Sequence, residues 1–158
     1  ALLAQANVHE FSFYFLGSTQ DVLEKIVRNV KEKYPTIKIA GYHAPPFSEL
    51  ADMNHKGIVE KINKSGADIL LVGMTAPKQE LFLSRNYTNI NVPFMMGIGA
   101  AFDYLAGVKR QCPPIVGKLG LEWLYRLMNS PGHIWKREIT IPIFIYHFLT
   151  KQYFAAPK

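Results

Sequence analysis

Residues 68–83 read DILLVGMTAPKQELFL, and their interpretation decides the fold. An aliphatic run, Ile69–Val72, stops at Gly73; an uncharged turn follows, and Pro77 stands where a helix would begin. A short, unbroken apolar run bounded by turn residues reads as a strand buried on both faces, as in a parallel sheet. Proline is pre-set for a first helical turn, so the stretch reads strand–turn–helix. The triplet Lys78–Gln79–Glu80 is then either an ordinary helix start or a face turned toward a ligand.

The same alternation recurs on both sides. FSFYFLG (11–17) precedes a helical pattern over 19–33 with Val22, Ile26 and Val30 on one face. TIKIAGY (36–42) leads through HAPPFSEL to a helix near 54–64, and VPFMMGIG (92–99) leads to AAFDYLAG. Strands alternating with helices at this spacing predict an α/β fold: a Rossmann-like parallel sheet with flanking helices. Ligands on such sheets bind beyond the carboxyl ends of the strands. The turns at Gly17, Gly73 and Gly97/Gly99 all fall on that edge.

After Gly107 the pattern changes. KRQCPPIVGK is a basic, proline-containing connector, a helix is expected over about 118–129, and SPGHIWKREITIPIFIYHFLTKQYF follows. The run ITIPIFIYHFL is eleven residues, short of the ~20 that span a bilayer, so it reads as a core or interfacial helix. Two regions are expected: 1–108, and a helical C-terminal appendage, 109–158.

At 158 residues, with 49% hydrophobic and 19% charged side chains, the chain suits one globular domain. Cys112 is the single cysteine, so no intramolecular disulfide can form and a reducing compartment is the default. The opening ALLAQANVHE lacks the basic segment of a signal peptide and reads as helix interior; a fragment of a longer protein is expected. The net charge of +6 is unevenly placed. Residues 1–108 balance, whereas 109–158 carry eight Lys and Arg against Glu122 and Glu138. Such a tail suits an anionic partner, or is simply a solvated basic face.

The individual motifs each have two readings. Ser18-x-x-Asp21 is a capping-box pattern, and the same turn would present backbone N–H groups suited to a diphosphate. It is not the G-x-G-x-x-G fingerprint, which weakens a nicotinamide-dependent oxidoreductase reading. In GMTAPKQE, Thr75 suits an N-cap, Lys78 sits against the helix dipole, and Gln79 offers a donor–acceptor fork for sugar hydroxyls. Asp103 in GIGAAFDYLAG suits either a ribose contact or a local pair. Glu122 and Arg126 are spaced i, i+4 as a helix ion pair. None of the five histidines has metal-ligand spacing, and no metal or other cofactor is expected. A nucleic-acid reading of the basic tail lacks any supporting signature.

Taken in order, FLGST, GYHAPPF, GMTAPKQE, GIGAAFDYLAG and LGLEWLYRLMNSP resemble the WecG/TagA/CpsF family of bacterial glycosyltransferases over about residues 2–137. The resemblance implies inverting, metal-independent transfer of an N-acetylmannosamine-type sugar from a UDP donor. The implied acceptor is N-acetylglucosamine on a polyprenyl diphosphate, at the cytoplasmic membrane face. The pathways implied are teichoic acid, common antigen or capsule synthesis.

By position, the resemblance implies catalytic roles for Gln79 and for Arg126, the latter stabilising the departing diphosphate. Gly17, Ser18, Gly73, Thr75, Lys78, Asp103 and Arg110 would bind substrate, with Asp103 near the nucleotide. Trp135, Lys136 and Arg137 would meet the anionic membrane surface. Homo-oligomerisation is left open. Two departures weaken phosphate or lipid contacts: Arg110-Gln111-Cys112-Pro113 replaces Arg-Ala-Pro, and GHIWKR replaces an Arg-rich segment. The family's general base lies upstream of FLG, and nothing in this chain can be carried over to that role. A binding module without turnover is the alternative.

Overall fold

A computed structural model describes residues 2–46, 53–109, 112–121, 125 and 128, apart from the side chains of Asn7 and Pro114. The chain divides into two compact units, Ala1–Arg110 and Gln111–Lys158. The first contains α1 (Leu2–His9), β1 (Ser12–Gly17), α2 (Gln20–Lys33), β2 (Lys38–His43), α3 (His55–Ser65), β3 (Ile69–Gly73), α4 (Lys78–Asn86), β4 (Phe94–Gly97) and α5 (Ala101–Leu105). The expected α/β architecture is present: all four strands pair in parallel in the order β2-β1-β3-β4.

Both faces of this sheet are apolar, which is why β3 reads as a continuous hydrophobic run rather than an alternating one. Phe13, Phe15, Ile69 and Leu71 pack with Leu23, Ile26 and Val30 of α2 and Phe102 of α5. Tyr14, Leu16, Leu70 and Val72 pack on the other face with Ile58, Val59 and Ile62 of α3 and Phe82 of α4. Each Phe or Leu buried in this way contributes about 1.5–3 kcal/mol of transfer free energy. In α2 the stripe is Leu23, Ile26 and Val30, while Val22 is only half-buried.

Polar links fix the helices laterally. Asn86, itself buried, donates to the Phe82 carbonyl at 2.7 Å and lies 2.9 Å from His55 Nδ1, joining α4 to α3. Asn29 donates to the Leu105 carbonyl at 2.9 Å, joining α2 to α5. At the amino-terminal end of the sheet, the Asp68 carboxylate accepts from the Ser12 N–H and hydroxyl at 2.8 and 2.7 Å. These two bonds hold the Asp68 carboxyl below its usual range.

The chain runs outward from β1 to β2, then returns past β1 to place β3 on its other side. The strand order therefore reverses between β1 and β3, the kind of switch point at whose carboxyl ends doubly wound sheets bind ligands. Gly17 and Gly73 end these two strands and are register partners.

In the second unit, the described residues include helix α6 (Pro114–Lys118), with a proline in its first turn. It forms inside the segment read as a connector. Of the helix expected over 118–129, Lys118 instead ends α6, residues 119–121 are not helical, and Tyr125 and Met128 are helical; the other six residues, and all of the apolar run 139–149, lie outside the described residues.

Candidate functional site at the carboxyl edge of the sheet

At the end of β1, Gly17 has φ +114° and Ser18 has φ +59°, the latter unusual for a residue with a side chain. The capping box expected at Ser18 is not formed; a simple N-cap lies one residue further on. Thr19 is the N-cap of α2, its Oγ1 accepting from the Val22 N–H at 3.4 Å, because Ser18 is committed to the left-handed turn. Asp21 in the first turn complements the positive end of the helix.

The glycines of this edge have a packing reason that the sequence reading missed. A Cβ on Gly17 would lie 2.6 Å from the Gly73 carbonyl oxygen, and one on Gly73 would lie 2.2 Å from Cδ2 of Phe102. These glycines therefore bring β1, β3 and α5 together rather than clearing space for a ligand on that side.

Met74 is buried and Thr75, Ala76 and Pro77 are exposed, with a cis peptide bond between Ala76 and Pro77. The N-cap role expected of Thr75 is not the one observed. Its carbonyl accepts from the Lys78 N–H at 2.9 Å, and Pro77 occupies the cap position with no side-chain cap bond. Proline has no side-chain acceptor, so α4 starts from the backbone turn alone. Lys78 is half-buried in the first turn.

Gln79 is 7% exposed. Its Oε1 accepts from the Gly99 N–H at 2.9 Å, and its Nε2 donates to Glu80 Oε1 at 2.8 Å. Two motifs twenty residues apart, KQE and GIG, are thereby joined. Asp103 forms an ion pair with Lys109 at 2.5 Å, and its carbonyl accepts from the Val108 and Lys109 N–H groups. The local-pair reading of Asp103 therefore describes its contacts here.

His43 was not singled out by sequence. It ends β2 in register with Leu16, one residue before Gly17, and so stands on the same edge. Burial and the positive charge of Lys61 push its imidazole below the ordinary histidine value, keeping it neutral at neutral pH. The available signal was a histidine closing an apolar strand, in GYH.

Gly17, Ser18, His43, Gly73, Gln79 and Gly99 thus gather at one edge, whereas Arg110, Arg126, Trp135, Lys136 and Arg137 lie outside the described residues. Chemically the edge offers the positive end of α2, a left-handed turn and a neutral imidazole, which together suit a phosphorylated ligand. Among the described residues, no group of three His, Cys, Asp or Glu could hold a metal ion. No helix of the described residues is long and apolar enough to cross a membrane.

Comparison with known proteins shows the family. The family model for "Glycosyl transferase WecG/TagA/CpsF family" matches residues 1–157. Similar relatives are the N-acetylglucosaminyldiphosphoundecaprenol N-acetyl-beta-D-mannosaminyltransferases of Staphylococcus aureus strains MW2 and COL. Each is 32% identical over 141 residues, covering 89% of this chain and 53% of the relative. The chain therefore spans about half the length of the curated relatives it matches. With that match over nearly its whole length, the chain belongs to the WecG/TagA/CpsF glycosyl transferase family.

Proposed function

We propose that this chain forms the nucleotide-sugar-binding part of an inverting glycosyltransferase. It moves an N-acetylmannosamine-type sugar from a UDP donor to N-acetylglucosamine on a polyprenyl diphosphate, in bacterial cell-surface polysaccharide synthesis. The observation carrying this reading is the convergence of the family's motif turns on one sheet edge, at the β1/β3 reversal. The relatives' names supply the sugar and acceptor classes.

In the reaction, an acceptor hydroxyl oxygen bonds to the anomeric carbon as the bond from that carbon to the UDP oxygen breaks. UDP leaves with the electron pair, and the hydroxyl proton passes to a base. No residue of this chain is assigned as that base. The turn at Gly17 and Ser18 lies near the donor diphosphate, where the α2 amino terminus favours negative charge. Gly73, Thr75 and Lys78 line the second turn, Gln79 acts in the same site, Asp103 faces the nucleotide, and Arg110 and Arg126 meet phosphate. Residues 109–158, through Trp135, Lys136 and Arg137, dock on the anionic inner face of the cell membrane, with about 1 kcal/mol from each engaged basic side chain. The enzyme is thus cytoplasmic and peripheral.

A second reading is a module that binds donor without turning it over, since no residue of these 158 is assigned as the base. Calorimetry with UDP and with NAD tests the donor site: UDP binds more tightly, and the reverse order overturns the assignment. Transfer to a lipid-linked acceptor separates the two readings, since only the enzyme turns over. Flotation with anionic vesicles tests docking: binding falls with salt as the Debye length contracts from about 10 to about 3 Å. Equal binding to neutral vesicles refutes it.

A further inference from the structure

We infer that Gln79 is a positioning residue, whose amide clasps the β4–α5 turn to the first turn of α4 and shapes the donor edge through Gly99 rather than by touching the sugar. This role rests on the donor-site reading above and narrows the part Gln79 plays in it.

Gln79 is almost fully withdrawn from solvent, and each end of its amide already has a protein partner. The orientation of the amide is forced by chemistry: Gly99 presents an N–H and so faces Oε1, while the Glu80 carboxylate accepts and so faces Nε2. The amide also lies against Gly97. A Cβ there would come within 3.0 Å of the Gln79 Cδ and 3.1 Å of Nε2, so the glycine leaves room for the clasp. Gly99 has φ +47°, and a Cβ on it would stand 3.6 Å from both Nε2 and Oε1. Gln79, Gly97 and Gly99 therefore form one fitted unit.

The neighbouring residue types explain why the clasp needs glutamine. A glutamate in its place would set two carboxylates together, with like charge opposing the contact. A leucine would leave the Gly99 N–H only the Val72 carbonyl, at 3.4 Å. The turn held this way leads directly into α5, which carries Phe102 and Asp103. Glu80 is exposed at the same edge, and its carboxylate is held in place by the clasp.

The test compares the wild-type chain with Gln79→Ala, Gln79→Glu, Glu80→Gln and a double variant that exchanges the two side chains. Two readouts are taken on the same samples: hydrogen exchange of the Gly99 amide by NMR, and UDP affinity by calorimetry. Loss of one hydrogen bond in Gln79→Ala should speed Gly99 exchange about ten-fold and weaken UDP to a similar extent. Gln79→Glu should be worse at pH 7 than at about pH 4–5, where the two carboxyls share a proton. Glu80→Gln keeps an acceptor for Nε2 and leaves Gly99 exchange unchanged.

The exchange of side chains decides the matter. In that double variant the carboxylate now at position 79 would accept from the Gly99 N–H and from the new amide at position 80. Both readouts should then return to within about three-fold of wild type. Restored Gly99 exchange without restored UDP affinity would mean that the Gln79 amide touches the ligand, overturning the positioning role. Unchanged Gly99 exchange in Gln79→Ala would show that no clasp exists. If wild type fails to bind UDP, the donor-site reading falls, and the Gly99 exchange series still confirms or overturns the clasp.

Discussion

Gly73→Ala isolates the packing that sets α5 against the sheet. The added Cβ would stand 2.2 Å from Phe102 Cδ2 and 2.5 Å from Cγ, whereas carbon atoms pack at about 3.5–4.0 Å. The ring or the helix must therefore move by more than about 1 Å. The ring has little freedom, since Phe102 is 1% exposed and edge-on to the fully buried Phe15 at 6.0 Å. The helix is tethered to α2 through Asn29 and Leu105. Overpacking of this kind costs about 1–3 kcal/mol, and complete ejection of the ring would approach the roughly 3–5 kcal/mol of a Phe→Ala change. The expected loss is about 3 kcal/mol, read as a urea midpoint lowered by roughly 1–2 M at unchanged slope. Combining Gly73→Ala with Phe102→Leu should cost at least about 1 kcal/mol less than the sum of the two alone, because the smaller side chain relieves the clash. A Gly73→Ala protein within about 0.5 kcal/mol of wild type, or strict additivity in the pair, would refute this account of the glycine.

Three other substitutions probe particular residues. Ser18→Gly should raise stability by about 1 kcal/mol in urea unfolding, because the left-handed conformation penalises a Cβ; a loss instead would show that the Ser18 side chain contributes more than its strain. Ser12→Ala removes the hydroxyl donor to Asp68 and should raise the Asp68 pKa, measured by NMR titration. Because the folded-state pKa is depressed, that stabilisation is present above about pH 4 and is lost as pH falls through the lower folded value, so wild type and variant should converge in acid. Lys61→Met removes a charge that disfavours imidazolium and should raise the His43 pKa toward the ordinary histidine value. In wild type the depressed His43 pKa means that stability declines as pH drops below about 6.5, and less steeply in the variant.

Periodicity and turn residues alone located the four strands and the helices between them: the central β1 and β3 are buried and so nearly continuous apolar runs, while the more exposed edge strands β2 and β4 were marked by shorter apolar stretches beside turn residues. They also put Gly17, Gly73 and Gly97/Gly99 on one edge, because every strand in a parallel sheet presents the same end. The motif order carried the family. Tertiary structure decided what those residues touch. Thr19 took the cap expected of Ser18 because Ser18 adopts a positive φ, a backbone handedness that residue type alone does not disclose. Gly73 proved to be fitted to Phe102, a contact spanning twenty-nine positions that no local pattern encodes. Gln79 turned inward for the same reason: its acceptor role is defined by the Gly99 N–H, which reaches it only once β4 has paired beside β3.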